Sequence, residues 1–294
     1  MRDMHPLWGP IRKIYRAQHE IGALEEEIND FIKAGRYGVV VAERNPNTGK
    51  YALRAVTTSE AEPPLEWSIA VGEIAHNLRS ALDHLACQLA LTEHPPSEAL
   101  FEKTSFPIYL YGPGSSKPAK KRWSETRRAL EFISRRHRTI LERLQPYSRR
   151  DRDRPGPIPS RVPSGGLNPL WLLHEINNAD KHRLIQVTAR IARGMTLIVR
   201  SCPPSFDIRD IQTRLGRRLV NGAYIGALDV VGGFEGVDMY LSLQPQVVFW
   251  DGCDAVKGLP VIPTLRSMLH EVFRIGVHLA AQFPPLEPPW GPPE

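Results

Sequence analysis

Apolar residues fall at helical spacing along some stretches of the chain and in two-residue alternation along others, and the two periods partition it. Over 11–34, Ile14, Ile21, Leu24, Ile28 and Ile32 share a face, Glu25, Glu26 and Glu27 lie on the wet side, and Gly35 supplies the stop. The longest periodic run, 67–91, sets Val71, Ile74, Leu78, Ala81, Leu82, Leu85 and Leu89 on one broad face. Further helices are predicted at 124–144 with Ser124 as N-cap, at 169–183, and at 260–283, where Leu265, Met268, Leu269, Val272, Ile275 and Leu279 align.

The alternating stretches predict strands. RYGVVVAER and KYALRAV, joined by NPNTG, read as a β-hairpin. RLIQVTARI and MTLIVRS read as a second hairpin across Ala192, Arg193 and Gly194. GAYIGALDVV and VDMYLSLQPQVVFW flank a glycine-rich turn at 232–236. An extended apolar piece, FPIYLY, sits in the loop 94–117 and is expected to pack on the helices. The pattern predicts one α+β domain over 1–283. Its parts are a β-hairpin at 36–57, a basic helix and loop at 117–166, a strand-rich part at 184–251 and a closing helix at 260–283. Residues 284–294 are expected to form a Pro-rich flexible tail.

Composition narrows the class. The chain has 294 residues, 41% hydrophobic and 24% charged, as in soluble globular proteins. No run approaches the roughly 20 apolar residues of a spanning helix, and MRDMHPLWGPIRK has no signal-like apolar core. Three separated cysteines, Cys87, Cys202 and Cys253, suit reduced thiols in a cytoplasm and form neither a disulfide framework nor a Cys-x-x-Cys pair. The net charge of +6 is unevenly placed. Residues 117–154 carry 14 Lys and Arg against 5 Asp and Glu, a local +9 that suits either a solvated face or a polyanion such as RNA.

Candidate chemistry concentrates opposite the apolar face of 67–91. Glu73, Asn77, Ser80 and His84 stack at i, i+4, i+7 and i+11, and Arg79 and Asp83 stand at i, i+4 on a neighbouring line. An acid, an amide, a hydroxyl, an imidazole and a guanidinium in three turns suit either a site or a satisfied polar network in a core. On 169–183, Asp180 falls among the inward-facing Leu172, Leu173, Ile176 and Ala179. A carboxylate there needs a partner, and Arg79 is the first choice. Lys181, His182 and Arg183 then gather at the helix end, where they complement the dipole or would suit phosphate.

Other chemistries find little footing. NTGK lacks the upstream glycine of a phosphate loop and has Tyr51 where Ser or Thr belongs. His84, Asp180 and His182 could supply metal ligands, but no zinc-binding spacing accompanies them, and no cofactor fingerprint is present.

The run Arg79-Ser80-Ala81-Leu82-Asp83-His84 resembles the Arg-x4-His motif of the HEPN superfamily, and NLRSALDHLA with a downstream NADKHR is similar to a bacterial family that carries both. The resemblance implies a helical bundle, decorated here by antiparallel β-hairpins, that is often homodimeric. It also implies an RNA-binding protein, in many members a metal-independent endoribonuclease of the toxin or defence type. Arg79 would then stabilise phosphate charge and His84 would move the proton of the ribose 2′-hydroxyl. Asn77 and Asp180 would complete the catalytic set, and Glu73, Ser80, Asp83, Lys181, His182 and Arg183 would face the substrate.

Overall fold

The computed structural model describes residues 5–35, 37–57, 62–110, 130–148, 168–181, 185–214, 216 and 219–284. The elements run α1 (Trp8–Ala34), β1 (Tyr37–Arg44), β2 (Tyr51–Thr57), α2 (Leu65–Leu91), α3 (Glu98–Lys103), α4 (Arg135–Arg143) and α5 (Pro169–Asp180). They continue with β3 (Gln186–Ser201), β4 (Asp207–Thr213), β5 (Tyr224–Val231), β6 (Asp238–Asp251) and α6 (Val261–Ala280). The chain divides into two compact units. One holds residues up to Gly22, Ala70–Leu184 and Pro263 onward, and the other holds Ala23–Ile69 and Ile185–Ile262.

The first unit is helical and built on α2. Val71, Ile74, Leu78, Ala81, Leu82, Leu85 and Leu89 are all buried, as the apolar stripe requires. Ile14, Ala17 and Ile21 of α1, Leu172, Leu173 and Ile176 of α5, and Leu265, Met268, Val272, Ile275 and Leu279 of α6 are buried too. α5 begins with Asn168 as N-cap, its side chain accepting from the backbone N–H of Leu170 and Trp171, and Pro169 occupies the first helical position. α4 is shorter than the pattern over 124–144 suggests. Its N-cap is Ser134, which accepts from His137 N–H, Leu130 lies in a turn before it, and 124–129 lie outside the described residues. The FPIYLY piece is extended with Phe106 and Ile108 buried. The short α3 just before it, capped by Ser97, has no counterpart in the sequence reading.

The second unit corrects the expected architecture. The chain is α+β, but it is not a helical bundle with peripheral hairpins. Six antiparallel strands form one sheet in the order β3-β6-β1-β2-β5-β4. The predicted hairpin at Ala192–Gly194 does not turn. Instead β3 continues past a register shift at Ala192/Gly194 and pairs with β6 along its length, from Gln186 opposite Asp251 to Ser201 opposite Asp238. Gly194 serves close approach, since a Cβ there would lie 2.6 Å from Gln244 Oε1. The turn at 232–236 exists, with Gly232, Gly233 and Gly236 at positive φ. The strands it joins are not neighbours, because β1 and β2 lie between them.

The β1–β2 hairpin forms as predicted. Asn45 and Lys50 close the turn, Gly49 takes φ 70°, and Lys50 Nζ is 3.1 Å from Asp210 Oδ2, so NTGK is a turn. Leu53, Ala55, Phe206, Ile225, Leu228, Leu241 and Leu243 form the core of this unit. No described helix is long and apolar enough to cross a membrane. The expected tail beyond Pro284 lies outside the described residues.

Candidate functional site

Five residues of α-helix rotate a side chain by about 140° on balance, so Arg79 and His84 leave α2 in different directions. Each meets a different neighbour in the first unit. Arg79 Nη2 donates to Asp83 Oδ1 at 2.8 Å and to the Phe106 carbonyl at 2.7 Å. Phe106 N–H donates to the same Asp83 oxygen at 2.8 Å. Both backbone polar groups of a fully buried phenylalanine are thereby satisfied by one ion pair, whose side chains are 15% and 32% exposed. Arg79 Nη1 is buried without a hydrogen-bond partner among the described residues. One turn further along α2, Cys87 Sγ lies 3.7 Å from the Thr104 carbonyl, and burial, then the Asp83 charge, pushes its thiol up.

The other polar line faces α1. Asn77 Nδ2 donates to Glu20 Oε2 at 3.2 Å, and Glu20 also receives Arg16 Nε at 2.5 Å. His84 is exposed at its edge and lies against Gly9, where a Cβ would stand 3.3 Å from the ring Nδ1. Burial of the rest of the ring, and then the Lys13 ammonium, hold its pKa below the usual imidazole value, against a smaller opposing effect of Asp83. Glu73 is exposed and Ser80 half-buried.

Asp180, the last residue of α5, does not reach Arg79 as the sequence reading expects. Its carboxylate is seated on Gly72 of α2: a Cβ added there would lie 2.3 Å from Oδ1, 2.6 Å from Cγ and 2.7 Å from Oδ2. Desolvation raises its pKa, and the exposed His76 one turn from Gly72 works against that rise. The half-buried carboxylate is thus housed by a gap in the facing helix, with an imidazole beside it. Asn178 Nδ2 and His174 Nε2 meet at 2.9 Å, one turn apart on α5. Lys181 caps α5 and is exposed, while His182 and Arg183 lie outside the described residues.

Of the expected site residues, Arg79 pairs with Asp83, Asn77 binds α1, and His84 stands at its own place beside Gly9. The structure does not gather Arg79, His84, Asn77 and Asp180 at one point. Sequence reasoning places His76 between the two polar lines of α2 without giving it a role, and it leaves out Gly72, Gly9 and the backbone of Phe106. Gly72 carried a usable signal, since a glycine inside a helix costs about 1 kcal/mol against alanine and marks close approach. Phe106 carried none, because the contact is made by its backbone.

Of the basic segment 117–154, the described part is 130–148. There Arg135, Arg136 and Arg143 are exposed, whereas Arg138 spends its guanidinium on the carbonyls of Ile133 and Glu131. Among the described residues no cluster of three His, Cys, Asp or Glu could hold a metal. No family model, curated protein or solved structure matches this chain.

Proposed function

We propose that this chain is a non-catalytic interaction protein in which Arg79 and Asp83 are a clasp and not a catalytic pair. The observation that carries this reading is that both side chains spend their hydrogen bonds on the backbone of Phe106. Arg79 Nη2 is committed at 2.7–2.8 Å to a carbonyl and a carboxylate, and Nη1 is buried, so the guanidinium presents little of itself to a phosphate. Cys87, Cys202 and Cys253 are thiols and not disulfides, which fits work in a reducing cytoplasm. The test is RNA cleavage in EDTA by wild type, His84→Ala and Arg79→Ala, with thermal unfolding of each. No cleavage by any, and a lowered melting temperature for Arg79→Ala, is the expected result.

One observation favours a second reading, the HEPN-like, metal-independent endoribonuclease that binds RNA through 117–154 and acts as a homodimer. His84 is exposed and kept as the free base by burial and Lys13, which suits a general base at neutral pH. In that reaction the imidazole takes the 2′-hydroxyl proton, the 2′-oxygen bonds to phosphorus and the 5′-oxygen leaves. Cleavage by wild type that disappears in His84→Ala would establish this reading and overturn the first.

A further inference from the structure

In the second unit, Leu197, Leu241, Val39 and Leu53 turn toward the core. Their neighbours Ile198, Tyr240, Val40 and Arg54 therefore stand on the outer face of the sheet. Ile198, Tyr240 and Val40 are 49%, 50% and 49% exposed, and Arg54 is exposed too. The register sets these side chains beside one another. Ile198 lies opposite Tyr240, Val40 opposite Arg54, and Arg54 opposite Tyr224. Gly38 lies opposite Ser242, and two residues further along that register Val40 comes beside Tyr240. One row of five side chains thus crosses β3, β6, β1, β2 and β5.

The row joins exposed apolar surface to cations. Arg54 Nη1 donates to the Gly222 carbonyl at 3.0 Å, which steadies the guanidinium and uses one of its five donors. At the β5 end, the Arg214 guanidinium carbon lies 5.5 Å from the centre of the Tyr224 ring. The next row holds Thr196, Ser242, Gly38 and Val56, none of them charged. A Cβ on Gly38 would meet nothing within 4 Å, so Tyr240 and Val40 border open space. Among the described residues these two rows carry arginine and no acid. Asp238 comes one row further, opposite Ser201 and close in sequence register to the exposed Arg200.

We propose that this row binds single-stranded nucleic acid, with an unpaired base stacked on Tyr240 beside Gly38 and a phosphate accepting from Arg54. The proposal rests on the interaction-protein reading above and names the partner. A base needs an exposed ring with room next to it, and a tyrosine offers that to every base alike. A phosphate needs a positioned fork of donors, which Arg54 supplies. Nucleic acid also brings one negative charge with each residue, to a surface whose two central rows hold only positive ones.

The test titrates the full chain into a fluorescein-labelled, mixed-sequence strand of about 12 nucleotides, as RNA and as DNA, read by anisotropy. Saturable binding of either strand is expected. Tyr240→Ala should weaken it about tenfold, and Tyr240→Phe should retain it. Arg54→Met should weaken it as well and reduce the slope of log K against log salt by about 0.7, the share of one phosphate on a single strand. Both positions are exposed, and circular dichroism should show each variant folded as wild type. No saturable binding, or binding that neither Tyr240→Ala nor Arg54→Met weakens, would overturn the proposal. Self-association of wild type that Tyr240→Ala abolishes, read by light scattering, would assign the row to a second copy and overturn it as well. The strand is sized after each titration, which keeps the two readings apart. Cleavage that needs His84 overturns the interaction-protein reading, whereas failure to bind overturns this proposal alone.

Discussion

Gly72→Ala is a substitution whose sign depends on a residue in another helix. In the middle of α2, alanine is favoured over glycine by about 1 kcal/mol from backbone entropy alone. Here the new methyl would land 2.3 Å from Asp180 Oδ1 and 2.6 Å from its Cγ, well inside contact distance. Asp180 has a short side chain on a packed helix, so relief requires either α5 to shift or the carboxylate to swing out. Overpacking of this kind costs about 1–3 kcal/mol. The net expectation is a loss of about 0–2 kcal/mol in the wild-type background.

With Asp180→Ala the clash disappears, and Gly72→Ala should then stabilise by about 1 kcal/mol. Urea unfolding of the four chains, tracked by circular dichroism, gives the coupling between the sites directly, and about 1–3 kcal/mol is expected. If Gly72→Ala stabilises both backgrounds equally, with coupling under about 0.5 kcal/mol, the carboxylate is not seated on Gly72. The m-value must stay constant across the set for the comparison to hold.

The same geometry sets further outcomes. Arg79→Met should destabilise by about 2–3 kcal/mol, since it strands the Phe106 carbonyl and half of an ion pair. Asp83→Asn should cost somewhat less because Asp83 is a third exposed, and non-additivity near 1 kcal/mol in the double variant is the signature of the clasp. His84 has a folded pKa below its unfolded value, so the unfolded state binds the proton first. Its contribution is complete above about pH 6.5 and is lost as pH falls through the folded pKa. The melting temperature of wild type minus that of His84→Gln should therefore drop on acidification from pH 7, and a flat difference curve would contradict it. Asp180, with its pKa raised, has the opposite sign. Its contribution is present below pH 3.8 and is lost as pH rises through the folded value, so Asp180→Asn should melt higher than wild type at pH 7 and alike below pH 3.8.

The helices were readable because each announces its buried face within its own sequence. The stripe from Val71 to Leu89 is buried throughout, and the Arg79–Asp83 pairing at i, i+4 is local in the same sense. The sheet was not readable in that way. Alternation identifies β3 and β6 as strands but carries no instruction that β1 and β2 should be inserted between β6 and β5. Gly194 misled because the residue that permits a turn also permits a neighbouring side chain to approach. Asp180 shows a different limit. Its cost is evident from its position, and a buried carboxylate there calls for a side chain of opposite charge. The structure answers with a residue that lacks one.

Helix geometry also limits what the Arg-x4-His motif can do within one chain. Its two members point about 140° apart on α2, so a reaction that uses both needs a substrate wrapped around the helix or a second chain supplying one of them. Freeing Arg79 for a phosphate means surrendering two charge-assisted bonds worth about 1.5–3 kcal/mol each and leaving both polar groups of Phe106 to find other partners. A phosphate offers the guanidinium bonds of the same class, so the exchange yields no clear gain. Among the described residues His84 makes no such commitment, and the cation that acts on it is Lys13. Any chemistry on this face therefore belongs to His84 with Lys13, and replacing Lys13 by Met should impair it more than relieving Arg79 of its clasp could improve it.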